Sequence, residues 1–351
     1  MNIERKANLL LFQALHDDAT DIHIIPNSES YHIQFRINGI LFPLKQIPFD
    51  VGERLISHLK FLASMDIGEK RKPQSGSLQT KIIGLDISLR ISTLPSAHLK
   101  ESIAIRILPQ NTISLDHLSL FPNSIHHLTT LMAQANGLVV LTGPTGSGKS
   151  TTMYALAQYC AKNLNRHVIS LEDPVEKHHE DLLQVQVNER AGISFHSGLK
   201  AILRHDPDVI LVGEIRDAET AKIAVRAAMT GHLVLTSMHS REAKGAIQRL
   251  LEFGIKDGEL KQTLLAITAQ RLVILKCPFC GANCSKYCTN LFRIKRLGIY
   301  EILYRNTLLF ELKNMGEERS KYRYNTLQQL IRKGIALGYL PSEEYERWII
   351  E

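Results

Sequence analysis

Leu141–Ala157 reads LTGPTGSGKSTTMYALA, and inside it Gly143–Ser150 spells G-x-x-x-x-G-K-S. The run before it, GLVVLT (137–142), is apolar almost throughout, as a strand buried on both faces must be, and the run from Lys149 onward is helix-forming. A strand, a glycine-rich turn and a helix in that order make a cradle for phosphate, because the turn and the helix N-terminus present unpaired N–H groups to an anion. In such a cradle the loop Gly143, Pro144, Thr145, Gly146, Ser147 and Gly148 wraps the phosphates. Lys149 reaches the β and γ oxygens, and Ser150, followed by Thr151, offers a hydroxyl to Mg²⁺.

The same texture continues on the C-terminal side. HVISL (167–171), DVILVG (208–213) and HLVLTS (232–237) are short apolar runs separated by helical segments, which predicts a parallel sheet covered by helices and an α/β fold. Open sheets of this kind gather ligands at the carboxyl ends of their strands. Two acidic positions sit there, Glu172-Asp173 after HVISL and Glu214 after DVILVG, and they are candidates for holding Mg²⁺ and orienting water. His232 and His239 flank the third strand; one can sense the terminal phosphate while the other serves structure.

The N-terminal third has a different texture. Ile3, Ala7, Leu10, Leu11, Ala14 and Leu15 recur at helical spacing. Strict alternation over Tyr31–Ile37, then Asn38-Gly39 and Ile40-Leu41-Phe42, predicts a β-hairpin. A second helix is expected over Val51 to Met65. Two further alternating runs, Leu85 to Ile91 and Ile103 to Ile107, each send an arginine, Arg90 and Arg106, to the side opposite their aliphatic stripe. A smaller α+β domain over 1–113 thus precedes an α/β domain over 114–351, the change of texture falling between Thr112 and Pro122.

Composition sets outer limits. A net charge of +7 is spread along 351 residues, and with one Trp and 6% aromatics there is no basic stripe interleaved with stacking platforms, so specific direct nucleic-acid binding is not expected. The densest basic run, Lys70-Arg71-Lys72, precedes Pro73 and reads as a solvated loop. No stretch approaches the roughly 18 apolar residues of a membrane span, which predicts a cytoplasmic chain. Four of five cysteines crowd between Cys277 and Cys288, a spacing that suits reduced thiols or a metal better than a disulfide framework. Cys277, Cys280, Cys284 and Cys288 can together close a tetrahedral Zn²⁺ site. Cys160, in the helix after the glycine loop, reads as core.

Four blocks in order, GPTGSGKST (143–151), LEDPVE (171–176), DPDVILVGEIRDAETA (206–221) and TGHLVLTSMH (230–239), resemble the Walker A, aspartate, Walker B and histidine boxes of the secretion and pilus-assembly ATPases. DATDIHIIPNSESYHIQFRINGIL (18–41) is similar to that family's N-terminal sensor-like domain, and LRISTLPSAHLKESIAIRIL (89–108) to its arginine-bearing region. The resemblance implies a RecA-like ATPase domain behind a PAS-like domain. It implies ATP and Mg²⁺, with Lys149 and Ser150 on phosphate and metal, and Glu172 and Glu214 sharing metal coordination and water activation. His239 would act beside them. Arg90 and Arg106 would reach nucleotide across a subunit boundary, which implies a homo-hexameric ring.

Where the family carries histidine-glycine-glutamate, this chain has His98-Leu99-Lys100-Glu101. The cysteine pairs, followed by IKRLGIYEIL (294–303), resemble those of assembly rather than retraction motors, but are separated by three residues instead of a long loop. The nearest likeness is to the branch serving competence pseudopili, with a polytopic membrane platform protein as partner and attachment to the inner face of the membrane. A type II secretion ATPase, a retraction motor and a DNA-translocating ATPase are the other readings.

Overall fold

The computed structural model describes residues 2–37, 39–96, 100–108, 114–281, 288, 295–313 and 324–349. The chain divides into two compact units, 1–111 and 112–351.

The first unit runs α1 (Ile3–His16), β1 (Ala19–Pro26), β2 (Tyr31–Ile37), β3 (Ile40–Ile47), α2 (Phe49–Leu62), β4 (Gln74–Ile82), β5 (Leu85–Pro95) and β6 (Glu101–Leu108). Its six strands form one antiparallel sheet in the order β3-β2-β1-β6-β5-β4. The period of two puts Ile22, Ile24, Ile33, Phe35, Leu89, Ile91, Ile103 and Ile105 in one core with Leu10, Leu11, Leu55 and Leu59 of the two helices. The hairpin closes at Ile37↔Ile40 with Gly39 at φ +84°, as its sequence predicts; Asn38 lies outside the described residues. The helix expected over Val51 to Met65 is α2, and it stops earlier. Ser64 turns left-handed (φ +55°) and the Met65 N–H reaches back to the Lys60 carbonyl at 2.9 Å, a closing bond that ends the helix. The edge strand β3 is mostly exposed, with Pro43 and Lys45 among its residues and a register shift opposite it at Ile33/Gln34.

Lys60 is an exception to the apolar core. Only 1% exposed, it donates to Glu101 Oε1 and to the Glu69 carbonyl, both at 2.8 Å, and so ties α2 to β6 and to the following loop. Lys70 pairs with Glu53 at 3.7 Å, so the basic run is partly tethered.

The second unit comprises α3 (Pro122–Met132), β7 (Gly137–Thr142), α4 (Lys149–Asn163), β8 (Val168–Glu172), β9 (Leu183–Gln186), α5 (Phe195–Ile202), β10 (Val209–Val212), α6 (Ala218–Met229), β11 (Leu233–Met238), α7 (Ala243–Glu252), α8 (Asp257–Thr263), β12 (Leu264–Ile274), β13 (Arg296–Tyr304), α9 (Arg305–Lys313), α10 (Leu327–Ala336) and α11 (Glu343–Trp348). The sheet order is β13-β12-β7-β11-β10-β8-β9, with β13 alone antiparallel to its neighbour. Apolar clusters cover both faces, one under α5 to α8 and one under α3 and α4, which is why β7, β8, β10 and β11 have no exposed residue. Gly298 is glycine by necessity, since a Cβ there would lie 2.7 Å from the Leu118 carbonyl that pairs with it. Among the described residues no helix is long and apolar enough to cross a membrane.

Replacing Lys60 with Met should destabilise the first unit by about 3–5 kcal/mol, because the Glu101 carboxylate is left buried without its cation. The double change Lys60→Met/Glu101→Leu should recover most of that loss in denaturant unfolding of the full chain.

Candidate active site

The sheet order brings the carboxyl ends of β7, β11, β10 and β8 side by side, and the residues singled out in the sequence gather there. β7 ends at Thr142 and α4 begins at Lys149; between them Gly143, Gly146 and Gly148 take φ values of +149°, +78° and +89°. A Cβ on Gly143 would lie 2.6 Å from the Gln270 carbonyl of β12, and one on Gly148 would lie 2.8 Å from Gln270 Nε2, so the loop is pressed against its neighbour strand. Beside Gly146 the space is open. Lys149 donates to the carbonyls of Gly143 (2.8 Å) and Pro144 (3.1 Å), closing the loop on itself. Burial holds its pKa below the usual lysine range; the Glu214 carboxylate opposes that shift, buried Arg271 adds to it, and Glu176 opposes it. Ser150 and Thr151 open α4 at the mouth of the loop.

Glu172, the last residue of β8, is 5% exposed. Its Oε1 accepts from Ser170 Oγ at 2.6 Å and Gln184 Nε2 at 3.3 Å, and its Oε2 accepts from the Tyr154 hydroxyl. Burial pushes its pKa above the ordinary carboxylate range; the Ser170, Tyr154 and Gln184 donors work against the shift, and Glu176 adds to it. Glu214, two residues past the end of β10 at Val212, is more open. His239 Nε2 lies 3.2 Å from its Oε1 and Arg216 Nε 3.0 Å from its Oε2. His232 stands at the other end of β11, where its ring meets the Ala227 carbonyl at 3.0 Å, a structural bond away from this cluster. The arrangement offers amides and an ammonium for phosphate, a hydroxyl and an open carboxylate for a divalent cation, and a buried carboxylate with raised basicity for water.

Arg90 and Arg106 lie within the first unit, directly opposite each other on β5 and β6 and exposed. Arg106 donates from Nε to Asp21 at 2.8 Å, and Arg36 stands 3.9 Å from the same carboxylate. His98 and Leu99 lie outside the described residues.

Cys277, Cys280 and Cys288 bring their sulfurs within 4.8 Å of one another, and the Cys277 and Cys288 sulfurs are 3.8 Å apart. Zn–S bonds of about 2.3 Å in a tetrahedron set the sulfurs about 3.8 Å apart, so the donor set fits zinc. Cys284 lies outside the described residues. Cys160 is fully buried, its thiol pushed up to about 11 by burial.

Sequence reasoning missed Tyr154, Gln184, Gln270 and Arg271. Tyr154 sits inside the opening motif, but as an aromatic among Met153, Ala155, Leu156 and Ala157 it reads as core, and only the fold shows where its hydroxyl goes.

Residues 1–347 match the family described as Type II/IV secretion system protein. The chain belongs to that family. It is 53% identical over 350 residues to competence protein ComGA of Bacillus subtilis strain 168, covering 99% of this chain and 98% of that one. It is 44% identical over 281 residues to type II secretion system protein E of Klebsiella pneumoniae, a stretch that covers 79% of this chain but 56% of the relative. The pilus retraction motor PilT, solved with bound ADP, superposes with a TM-score of 0.71 at 25% identity over 98% of this chain and 97% of that one. This type II/IV secretion system protein is an ATPase.

Beside the site of this secretion-system ATPase, His179 is 5% exposed, with Nε2 buried and unpaired and Nδ1 accepting from Gln158 Nε2 at 3.0 Å. Burial is the largest cause lowering its pKa from 6.5 to about 4. Between those values the unfolded chain binds a proton that the folded one refuses, so stability falls as pH drops through this window and is flat above it. The loss grows as pH falls toward the bottom of the window. Urea unfolding between about pH 7 and 4.5 should show it, and His179→Gln should flatten the dependence.

Proposed function

We propose that this chain is an ATP-hydrolysing motor, working as a homo-hexameric ring, that drives assembly of a type IV-like pseudopilus for DNA uptake in competence. The observation that carries this reading is the end-to-end 53% identity to competence protein ComGA, joined to a strand-end site with every part that phosphoryl transfer needs. The second unit is read as a RecA-like domain and the first as a PAS-like domain.

In this reading the loop from Gly143 to Thr151 holds the ATP phosphates, with Lys149 leaving its carbonyl partners for the β and γ oxygens. Ser150 and Glu214 hold Mg²⁺, and His239, bonded to Glu214, responds to the terminal phosphate. Glu172 accepts the proton of the attacking water, a role that its burial and raised basicity support. Arg90 and Arg106 act from a neighbouring subunit. Two like charges directly opposite on a sheet repel, and an anion docked against them removes that cost. Zn²⁺ held by Cys277, Cys280, Cys284 and Cys288 would supply structure alone, fixing a short loop.

ATP-driven opening and closing of subunit pairs is passed to a polytopic membrane platform protein. The motor stays cytoplasmic and peripheral at the inner face of the membrane, with no direct sequence-specific contact to the DNA.

ATPase rate against protein concentration is the test. The wild type should rise cooperatively, and both Lys149→Ala and Arg90→Ala should lose about 10³-fold or more. A rate per chain independent of concentration and indifferent to Arg90 would remove the ring. Metal analysis of the purified protein should give about one zinc per chain, and its removal by chelator should lower the melting temperature.

A further inference from the structure

Tyr154 is buried on α4, the helix whose N-terminus is the phosphate loop, and its hydroxyl donates to Glu172 at the end of β8. The backbone amide of Glu176 bonds the same hydroxyl, so the phenol touches both the strand-end carboxylate and the backbone of the loop that follows. The contact is one rung of three. Tyr154, Gln158 and Lys162 recur every four residues and share a face of α4. Gln158 donates to His179 at 3.0 Å, Lys162 pairs with Asp181 at 2.9 Å, and the His179 ring lies 4.7 Å from that of Tyr154. From the far side Gln184 bridges Glu172 and the Lys177 carbonyl and accepts from the His179 amide. The segment after β8 is therefore clasped along the phosphate-loop helix.

We propose that Tyr154 is a positioning residue, whose hydroxyl holds the Glu172 carboxylate in register with the phosphate loop so that the water it activates is aligned with the terminal phosphate. The inference rests on Glu172 being the water-activating group. Glu172 has two other donors, Ser170 and Gln184, which keep the carboxylate hydrogen-bonded without the phenol; what they do not do is link it to α4. A carboxylate free to shift by about 1 Å can cost two orders of magnitude in rate while binding of the nucleotide is untouched.

The test is the steady-state kinetics of the full-length chain with Mg-ATP for Tyr154→Phe, Glu172→Gln and the double variant. Tyr154→Phe should lower kcat about 10- to 100-fold with KM for ATP within about twofold and a melting temperature lowered by no more than about 4 °C. The double variant should be no slower than Glu172→Gln alone, because the hydroxyl acts only through that carboxylate. An unimpaired Tyr154→Phe beside an inactive Glu172→Gln would overturn the positioning role and leave the site reading intact. Losses that add in the double variant, or a raised KM, would mark a merely structural tyrosine. A Glu172→Gln variant as fast as the wild type would overturn the reading of Glu172 and this inference with it.

Discussion

The turn from β7 into α4 is the constraint on which the second unit depends. It must leave amides unpaired at the end of a fully buried strand, and it does so with three glycines at positive φ, two of them pressed against Gln270 of β12. That contact dictates what can lie alongside: β12 and β11 flank β7, and β10 and β8 follow outward, so each successive strand end adds one polar group to the same rim. Lys149 donates its ammonium to the loop's own carbonyls.

The two glutamates differ in their surroundings. Glu172 has three donors and almost no exposure, while Glu214 has Arg216 and His239 as partners and a more open side chain. In the first unit the logic is inverted. Arg90 and Arg106 face each other across two strands, and Asp21, shared with Arg36, offsets part of the repulsion. Such a pair weakens the sheet that carries it, and departures of this kind are what functional surfaces look like when the rest of a fold is locally consistent.

Much of this was legible in the sequence because it is written in short-range pattern. All-apolar runs marked β7, β8, β10 and β11, alternation marked β5 and β6 and put both arginines on the uncovered side, and Asn38-Gly39 marked the hairpin. What was not legible depends on distant chain. β9, Leu183–Gln186, is too short and polar to announce itself, and pairs only because β8 lies beside it. α2 ends at Leu62 although its apolar pattern runs on, since the bond from Met65 to Lys60 turns the chain away. Tyr154 and Gln184 find Glu172 across the fold, and no window of sequence contains all three.

The outer strands carry a consequence for how copies of the chain can meet. A free strand edge is a template for another, and one that is long and regular can recruit further chains by backbone pairing. Here β9 is four residues long with two glutamines. β3 interrupts its row of donors with Pro43, carries Lys45, and lies against a bulge. Backbone addition is discouraged at these two edges, whereas the opposite edges, β4 and β13, are nine residues each, so a contact between copies made through β9 or β3 would rest on side chains rather than on the backbone ladder.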